Sequence, residues 1–241
     1  MPTLILKDCK LYLGGHDLSG DMNNMGIDYG AELQDDTTMG DDTRSNKSGL
    51  KTVGAAHEGF WQADDVLVSD TLWERFAIEN EVMTVAPETG AVAETAYSFH
   101  SVLAEYSPGG SVGDMLAFTV NASGTGTLYK GTIVEASEKL ITGSGTAREL
   151  GAVAAGQKVY ASLHVLAVSG NNPTLDVVIQ SDDAELFGDP TARITFAQMN
   201  AIGGQLLAAD GAVTDEWWRA VWTVGGTDDP AFTILVVVGI L

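Results

Sequence analysis

The chain has 241 residues, 45% of them apolar, and a formal net charge of −21 at pH 7. This apolar content excludes global disorder, and the excess of carboxylates excludes a surface that neutralises nucleic-acid phosphates. The single cysteine, Cys9, excludes an internal disulfide and a cysteine-rich zinc site. The apolar runs at the two ends are too short for a secretory signal or a membrane-spanning helix. We therefore expect synthesis and function without export and without a membrane.

The first predicted elements are strands, because short apolar stretches alternate with glycine-containing turns. The first two cover residues 4–13 and 25–33. The polar segment 34–49 follows, with almost no apolar side chains. Polar segments of this length are uncommon in compact domains and are usually functional or disordered. Its aspartates lack the spacing of a calcium loop, so we expect a solvated acidic loop, and the sequence leaves cation binding open.

A third strand is predicted at residues 53–62, and the best helix candidate follows at residues 71–80. Its first four residues, Thr-Leu-Trp-Glu, form a capping-box pattern that satisfies free backbone donors at a helix start. Leu72 and Phe76 would share one face of this helix at a spacing of four residues. Three more strands follow, at 82–86, 96–106 and 115–121.

The small, flexible segment 123–127 predicts a boundary between two domains, residues 1–125 and 126–241. The second half is more regular. Its six predicted strands are 128–136, 158–168, 175–180, 193–199, 216–224 and 232–240. This spacing predicts a β-sandwich or barrel. Strand 216–224 is apolar on both faces, which predicts burial between layers or between subunits. Its large residues, of types common in interface cores and equally in plain cores, are Trp217, Trp218, Arg219 and Trp222.

No motif in the sequence predicts catalysis. Residues 109–113 match the Gly-x-Ser-x-Gly pattern, but that nucleophile elbow requires a strand before the serine and a helix after it, and here a strand follows. The glycine-rich segment 143–146 lacks the Lys-Ser/Thr ending of a phosphate-binding loop. The four histidines have no metal-type spacing. We therefore predict that the chain is not an enzyme and needs no cofactor or metal.

The order of elements in residues 4–122 resembles the major tail tube proteins of long-tailed bacteriophages. The resemblance rests on the Asp-Leu-Ser-Gly turn at 17–20, the Asp/Thr-rich loop, the segment 58–60 and the short capped helix. It implies a mainly β fold: a tube-type β-sandwich domain with one short flanking helix. The second half would be a further β-sandwich domain, either a repeat of the tube domain or an exterior domain.

The resemblance also implies a function and partners. The chain would be a structural virion protein, made in the host cytoplasm, whose rings stack into a tail tube through which DNA passes without specific binding. Its partners would be copies of itself, as trimers or hexamers per ring, and other tail proteins. The long loop would contact the neighbouring ring through Asp35, Asp36, Thr37, Asp41, Asp42, Arg44 and Lys47. The alternative from another class is a carbohydrate-binding or capsid-decorating jelly roll.

Overall fold

A computed structural model describes residues 6–61 and 68–241 of the chain; predicted positions 4, 5 and 62 lie outside this part. The described residues form a mainly β fold, as predicted, with antiparallel strands joined in one sheet. A short 3-10 helix covers Ser19–Asp21, and the α-helix α1 covers Val68–Glu74. The strands are β1 (Lys10–Leu13), β2 (His16–Asp17), β3 (Met22–Asp35), β4 (Asn46–Phe60), β5 (Glu81–Ala86), β6 (Thr95–Gly109), β7 (Ala117–Gly124), β8 (Tyr129–Lys139), β9 (Gly143–Ser144), β10 (Arg148–Glu149), β11 (Lys158–Asp182), β12 (Thr191–Thr195), β13 (Gly203–Asp210) and β14 (Trp217–Ile240).

The chain divides into two compact units that interleave along the sequence. The larger unit contains residues 1–20, 81–100 and 129–241, and the smaller unit contains residues 21–80 and 101–128. Strand β6 contributes its first residues to the larger unit and its last residues to the smaller one. These units are not consecutive segments of the chain, and the division into domains 1–125 and 126–241 stays a prediction.

The larger unit is built around its two longest strands, β11 and β14, which pair antiparallel from Val159↔Ile240 to Asp182↔Trp217. Both strands change direction at the same level, at residues 169–173 and 225–230. The pairing continues through irregular register there. Because glycines and the left-handed residues Asn172, Asp228 and Asp229 occupy this corner, the backbone bends without ending the ladder. The four strands predicted over these residues are therefore two continuous ones.

The two halves of this bent ribbon pack on each other. Leu163 and Val236 from one half and Val177 and Trp218 from the other belong to one hydrophobic cluster. The opposite face of the first half packs in a second cluster that includes Tyr129, Ile133 and Val237. The apolar run at the C-terminal end of the chain is thus buried on both faces, which is why it lacks the apolar/polar alternation of a half-exposed strand.

The helix prediction is wrong in its bounds. Helix α1 ends at Glu74 rather than at residue 80, and Thr71, predicted to cap its start, is buried within it. After Glu74 the backbone leaves helical geometry, with left-handed torsions at Ala77 and Asn80. The Ala77 N–H donates to the Leu103 carbonyl on β6 at 3.2 Å. Pairing with the sheet therefore replaces the second half of the predicted helix.

The predicted loop 34–49 is also shorter than expected. Strand β3 continues through Asp35 and β4 begins at Asn46, so only residues 36–45 connect them. The polar residues on either side of this connection are strand residues exposed on both faces, and a strand with no buried face gives no alternation of apolar and polar side chains. Within residues 6–61 and 68–241, no helix has the length and apolar character needed to cross a membrane.

Candidate assembly surface

The candidate site is the hairpin of β3 and β4 in the smaller unit, paired from Met22↔Gly59 to Asp35↔Asn46. Near its base, alternate residues of β4 are buried, from Val53 to Gly59. Beyond the base, residues 28–35 and 46–52 are exposed on both faces. This outer half of the hairpin contributes nothing to the core. A two-stranded ribbon without a packed face is marginally stable in water, so its length is unexplained by the fold of a single chain.

Several apolar side chains of the outer half lie in solvent. Leu33 is 68% exposed and Leu50 is 76% exposed, while Tyr29 is half exposed and Met39 at the tip is fully exposed. Among the described strands, β3 pairs with β4 alone, so its outer edge is open. An open edge offers unpaired N–H and C=O groups to another chain. The hairpin therefore presents both apolar surface and backbone donors and acceptors.

The tip of the hairpin is ordered by its own hydrogen bonds. The Thr37 N–H donates to Asp35 Oδ1 at 2.9 Å, and the Thr38 N–H donates to Asp41 Oδ2 at 2.7 Å. Lys47 Nζ lies 3.0 Å from Asp36 Oδ2. The pKa of Asp35 is lowered by hydrogen bonds from the Thr37 side chain and backbone, that of Asp36 by hydrogen bonds from the side chains of Ser45 and Lys47, and that of Asp41 by hydrogen bonds from the Thr38 backbone and side chain. The structure thus brings most of the predicted loop residues together in one pre-formed turn.

The remaining predicted loop residues, Asp42 and Arg44, are exposed in the same turn. In the part of the chain that the structure describes, no three His, Cys, Asp or Glu side chains form a group suited to a metal ion. The tip carboxylates instead accept hydrogen bonds from backbone N–H groups and the Lys47 ammonium. The tip of the hairpin is therefore a charged turn on the surface of the protein.

The predicted aromatic strand belongs to the larger unit and divides between two environments. Trp218 is fully buried and its indole Nε1–H donates to the Gly151 carbonyl at 2.9 Å. Trp222 is buried beneath the Lys139 ammonium, which lies 4.0 Å from its ring centroid. On the opposite face, Trp217 is half-buried. The Arg219 guanidinium lies over the Phe187 ring at 4.1 Å. Trp218 and Trp222 are therefore core residues.

A second exposed surface of the smaller unit was not predicted. Trp73 at the end of α1 is 74% exposed, and Phe76 and Ile78 in the following segment are also exposed. The predicted helix placed Phe76 with Leu72 on one packed face, but only Leu72 is buried. Since α1 ends before Phe76, helical spacing could not reveal this surface. The presence of Trp and Phe near a helix end was the only signal in the sequence.

Comparisons with known proteins found no matching protein-family model and no matching curated protein. The fold is similar to several solved structures. One, titled as the virion of a native gene transfer agent particle, has a TM-score of 0.44 at 15% identity, covering 52% of this chain and 97% of that chain. The SPP1 tail tube has a TM-score of 0.41 at 12% identity, covering 52% and 77%.

A third solved structure is similar over nearly the whole chain. The SPP1 Dit protein, titled as a hub of the adsorption apparatus in phages that infect Gram-positive bacteria, has a TM-score of 0.41 at 10% identity, covering 98% of this chain and 100% of that chain. The titles of the three structures name a gene transfer agent virion, a tail tube and a hub of an adsorption apparatus.

Proposed function

We propose that the chain is a structural virion protein, a subunit of a phage tail tube that polymerises as stacked rings. The observation that carries this proposal is the outer half of the β3–β4 hairpin, which is exposed on both faces and bears apolar side chains. Its strand β3 forms an open edge of the sheet. The function requires no catalytic group. The subunit would be made in the host cytoplasm and assembled into the tail with other tail proteins.

Polymerisation has a physical basis, because a neighbouring subunit would stabilise both the open β3 edge and the exposed apolar side chains of the hairpin. Pairing at the β3 edge satisfies backbone groups, and apolar residues such as Leu33 and Leu50 lose contact with water when a second subunit covers them. Contacts between two different surfaces of identical subunits close into rings, and stacked rings form tubes. A ring would contain three subunits if the second half of the chain repeats the tube domain, and six if that half is an exterior domain.

The charge of the chain suits a conduit for DNA. A net charge of −21 leaves few cations for phosphate contacts, and each such contact would retain DNA through counterion release. We propose that acidic side chains line the lumen. The alternative function, carbohydrate binding, needs exposed aromatic platforms, and burial of Trp218 and Trp222 removes the two most prominent candidates from the second half.

Truncating the hairpin is the direct test. Gly30 and Thr52 lie opposite each other in the register, so replacing residues 31–51 by Asn-Gly creates a two-residue turn of a favoured type. Because the removed residues contribute no buried side chain, we expect an unchanged melting temperature and complete loss of polymerisation. Negative-stain microscopy and sedimentation velocity of wild type and variant measure both.

A matched variant keeps the length and charge of the hairpin. The triple substitution Tyr29→Ser, Leu33→Ser and Leu50→Ser removes only exposed apolar surface, so it should raise the concentration needed for polymerisation without abolishing it. Tubes formed normally by the truncated chain would contradict the proposal. A wild-type chain that stays monomeric at all concentrations and salt strengths would contradict it as well.

Salt should promote assembly. Packing of subunits that each carry −21 costs repulsion, which salt screens over about 8–10 Å at physiological ionic strength. We expect the polymerised fraction to rise between roughly 10 mM and 300 mM NaCl, the range over which the screening length shortens most. Duplex DNA should show no retention by the protein in a mobility assay at physiological salt. Tight DNA binding, or polymer that dissolves as salt rises, would exclude an anionic conduit.

A further inference from the structure

The sheet of the larger unit curls until its two ends meet. Its strands follow in the order β13–β11–β14–β8–β6–β5–β1–β2, so β13 lies at one end and the β1–β2 turn at the other. These ends touch through glycines. A Cβ at Gly15 would overlap the Gly203 backbone nitrogen, and a Cβ at Gly204 would lie 3.1 Å from Gly14 Cα. Among the described residues, no backbone hydrogen bond joins the two ends. We call this contact of residues 14–15 with 203–204 the seam.

Side-chain hydrogen bonds lie behind the seam, where the backbone ladder is missing. His164 on β11 donates from Nδ1 to the Gly14 carbonyl at 2.7 Å, and its Nε2 lies 2.7 Å from Thr84 Oγ1 on β5. Thr84 Oγ1 lies 2.7 Å from Ser98 Oγ on β6, which lies 3.1 Å from Ser162 Oγ on β11. All four side chains are fully buried. This network ties β11, the neighbour of β13, to the elements at the other end of the sheet.

The Gly14 carbonyl fixes the order of the protons in this network. A carbonyl only accepts hydrogen bonds, so Nδ1 of His164 carries the hydrogen, and Nε2 of the neutral ring accepts one from the Thr84 hydroxyl. Thr84 Oγ1 in turn accepts from the Ser98 hydroxyl. A second proton on the ring would sit on Nε2, against the Thr84 hydroxyl that is directed at it. It would also place a positive charge among buried groups, which is costly without a paired anion.

The surroundings of His164 do not compensate such a charge. By strand alternation, the titratable side chains on the face around its ring are Lys10 and Tyr12 of β1, His100 of β6, Tyr129 of β8 and Tyr160 of β11. The Tyr12 ring centroid lies 5.8 Å from that of His164, and the Glu81 carboxylate of β5 lies beside Gly14. Lys158 and Asp210, at the ends of β11 and β13, pair with each other in solvent. Burial lowers the pKa of His164 to about 4, and the hydrogen bond to Gly14 offsets only part of this effect.

We infer that His164 is a pH-sensitive switch of the seam, and that its protonation separates β13 from the β1–β2 turn while the rest of the larger unit stays folded. A protonated ring is hydrated only when the network opens. The seam is the line along which opening breaks no ladder hydrogen bond. The cluster between the two halves of the bent ribbon, which contains Leu163 and Val236, involves the opposite face of β11 and need not open. The inference does not depend on the tail-tube proposal.

The expected size of the effect follows from proton binding. A solvated histidine has a pKa of 6.5, whereas the ring in the closed network has a pKa of about 4. At pH 5 the ring therefore binds a proton in the open state and stays mostly neutral in the closed state. The equilibrium constant for opening should rise about twentyfold between pH 7 and pH 5. Nearly all of this rise falls below pH 6.5.

Thiol labelling measures the opening of the seam. With Cys9→Ser in every variant, Ser162→Cys places one thiol at the end of the network farthest from His164. Dithiodipyridine labels thiols in acid as well as at neutral pH, and each rate is divided by that of the same chain in concentrated urea. We expect the relative rate to rise about twentyfold from pH 7 to pH 5. Low concentrations of urea should hardly change it, because a local opening exposes little surface.

Two variants serve as matched controls. Ala220→Cys places a thiol in the fully buried cluster between the two halves of the ribbon. Its labelling requires global unfolding and should accelerate with urea. His164→Gln keeps a donor for the Gly14 carbonyl and an acceptor for the Thr84 hydroxyl, but it does not bind a proton between pH 7 and pH 5. Combined with Ser162→Cys, it should abolish the pH dependence of labelling.

Three outcomes would overturn the inference. They are labelling of Ser162→Cys that does not change with pH, labelling that accelerates with urea as strongly as that of Ala220→Cys, and an unchanged pH dependence in the His164→Gln background. If a cysteine variant fails to fold, hydrogen exchange of the wild-type chain, corrected for intrinsic rates, decides instead. Protection at pH 5 should then fall in β1 and β13 before it falls in residues 217–224. A simultaneous fall in all three segments would contradict a local opening.

Discussion

Lowering the pH from 7 to 4 is expected to remove most of the chain's folding stability, because two histidines are buried in their neutral form. His57 on β4 is 1% exposed, and neither ring nitrogen has a hydrogen-bond partner among the described residues. Burial lowers its pKa to about 4. His164 on β11 is fully buried, and burial lowers its pKa to about 4 despite its hydrogen bond to the Gly14 carbonyl.

The direction of the effect follows from proton binding. Both histidines have a lower pKa in the folded chain than the ordinary value of 6.5. The unfolded chain therefore binds more protons, so stability is fully present above about pH 6.5 and is lost as pH falls towards 4. Each histidine contributes a loss of roughly 3 kcal/mol. Typical domains have only about 5–15 kcal/mol of total stability.

Urea denaturation at pH 7.5, 6, 5 and 4 measures this loss. His57→Leu removes a buried polar ring without partners and should be neutral or stabilising at pH 7.5. It should also abolish about half of the acid sensitivity. His164→Gln, which keeps a donor for the Gly14 carbonyl and an acceptor for the Thr84 hydroxyl, should abolish the other half. If the free energy of unfolding fell with pH in parallel for wild type and both variants, the histidines would not be responsible for the loss of stability in acid.

Trp218→Ala is expected to cause the largest loss of stability of any single tryptophan substitution in β14. Trp218 is fully buried in the core that joins the two halves of the bent ribbon. Its removal leaves a cavity and an unpaired Gly151 carbonyl, so the free energy of unfolding should fall by about 3–5 kcal/mol. Denaturant unfolding at pH 7.5, followed by circular dichroism, measures the change.

Trp217→Ala is the matched control, since the adjacent side chain points to the opposite face and is half-buried. Its effect on unfolding should be no more than about 1 kcal/mol. Equal losses for both substitutions would contradict the assignment of Trp218 to the core. A loss of polymerisation by Trp217→Ala at unchanged stability would add its face to the assembly surface.

The sequence by itself determined the fold class. Frequent glycines between short apolar stretches predicted many strands, and the structure confirms a mainly β fold with one short helix. The apolar run 232–240 predicted a strand, and the strand lies between two hydrophobic clusters. These predictions succeed because the side-chain pattern of a strand itself determines how many of its faces are apolar.

Only the tertiary structure decided which strands pair and where elements end. Helix α1 ends early because Ala77 bonds to β6, a strand about 25 residues further along the chain. At the corner of β11 and β14 the sequence predicts that strands end. The ladder nevertheless continues through this corner, because left-handed residues such as Asn172 and Asp228 bend the backbone without ending the pairing.

The candidate site shows the same division. The position of the acidic loop was predicted from its polarity, but its extension into a long hairpin exposed on both faces was not, because exposure on both faces leaves no periodic pattern. The environments of Trp218 and Trp217 could not be distinguished either, since both faces of their strand are largely apolar. Side-chain chemistry determines which surroundings a residue favours. Strand pairing and the corner of the ribbon determine whether core or solvent lies on the face of the strand to which that side chain points.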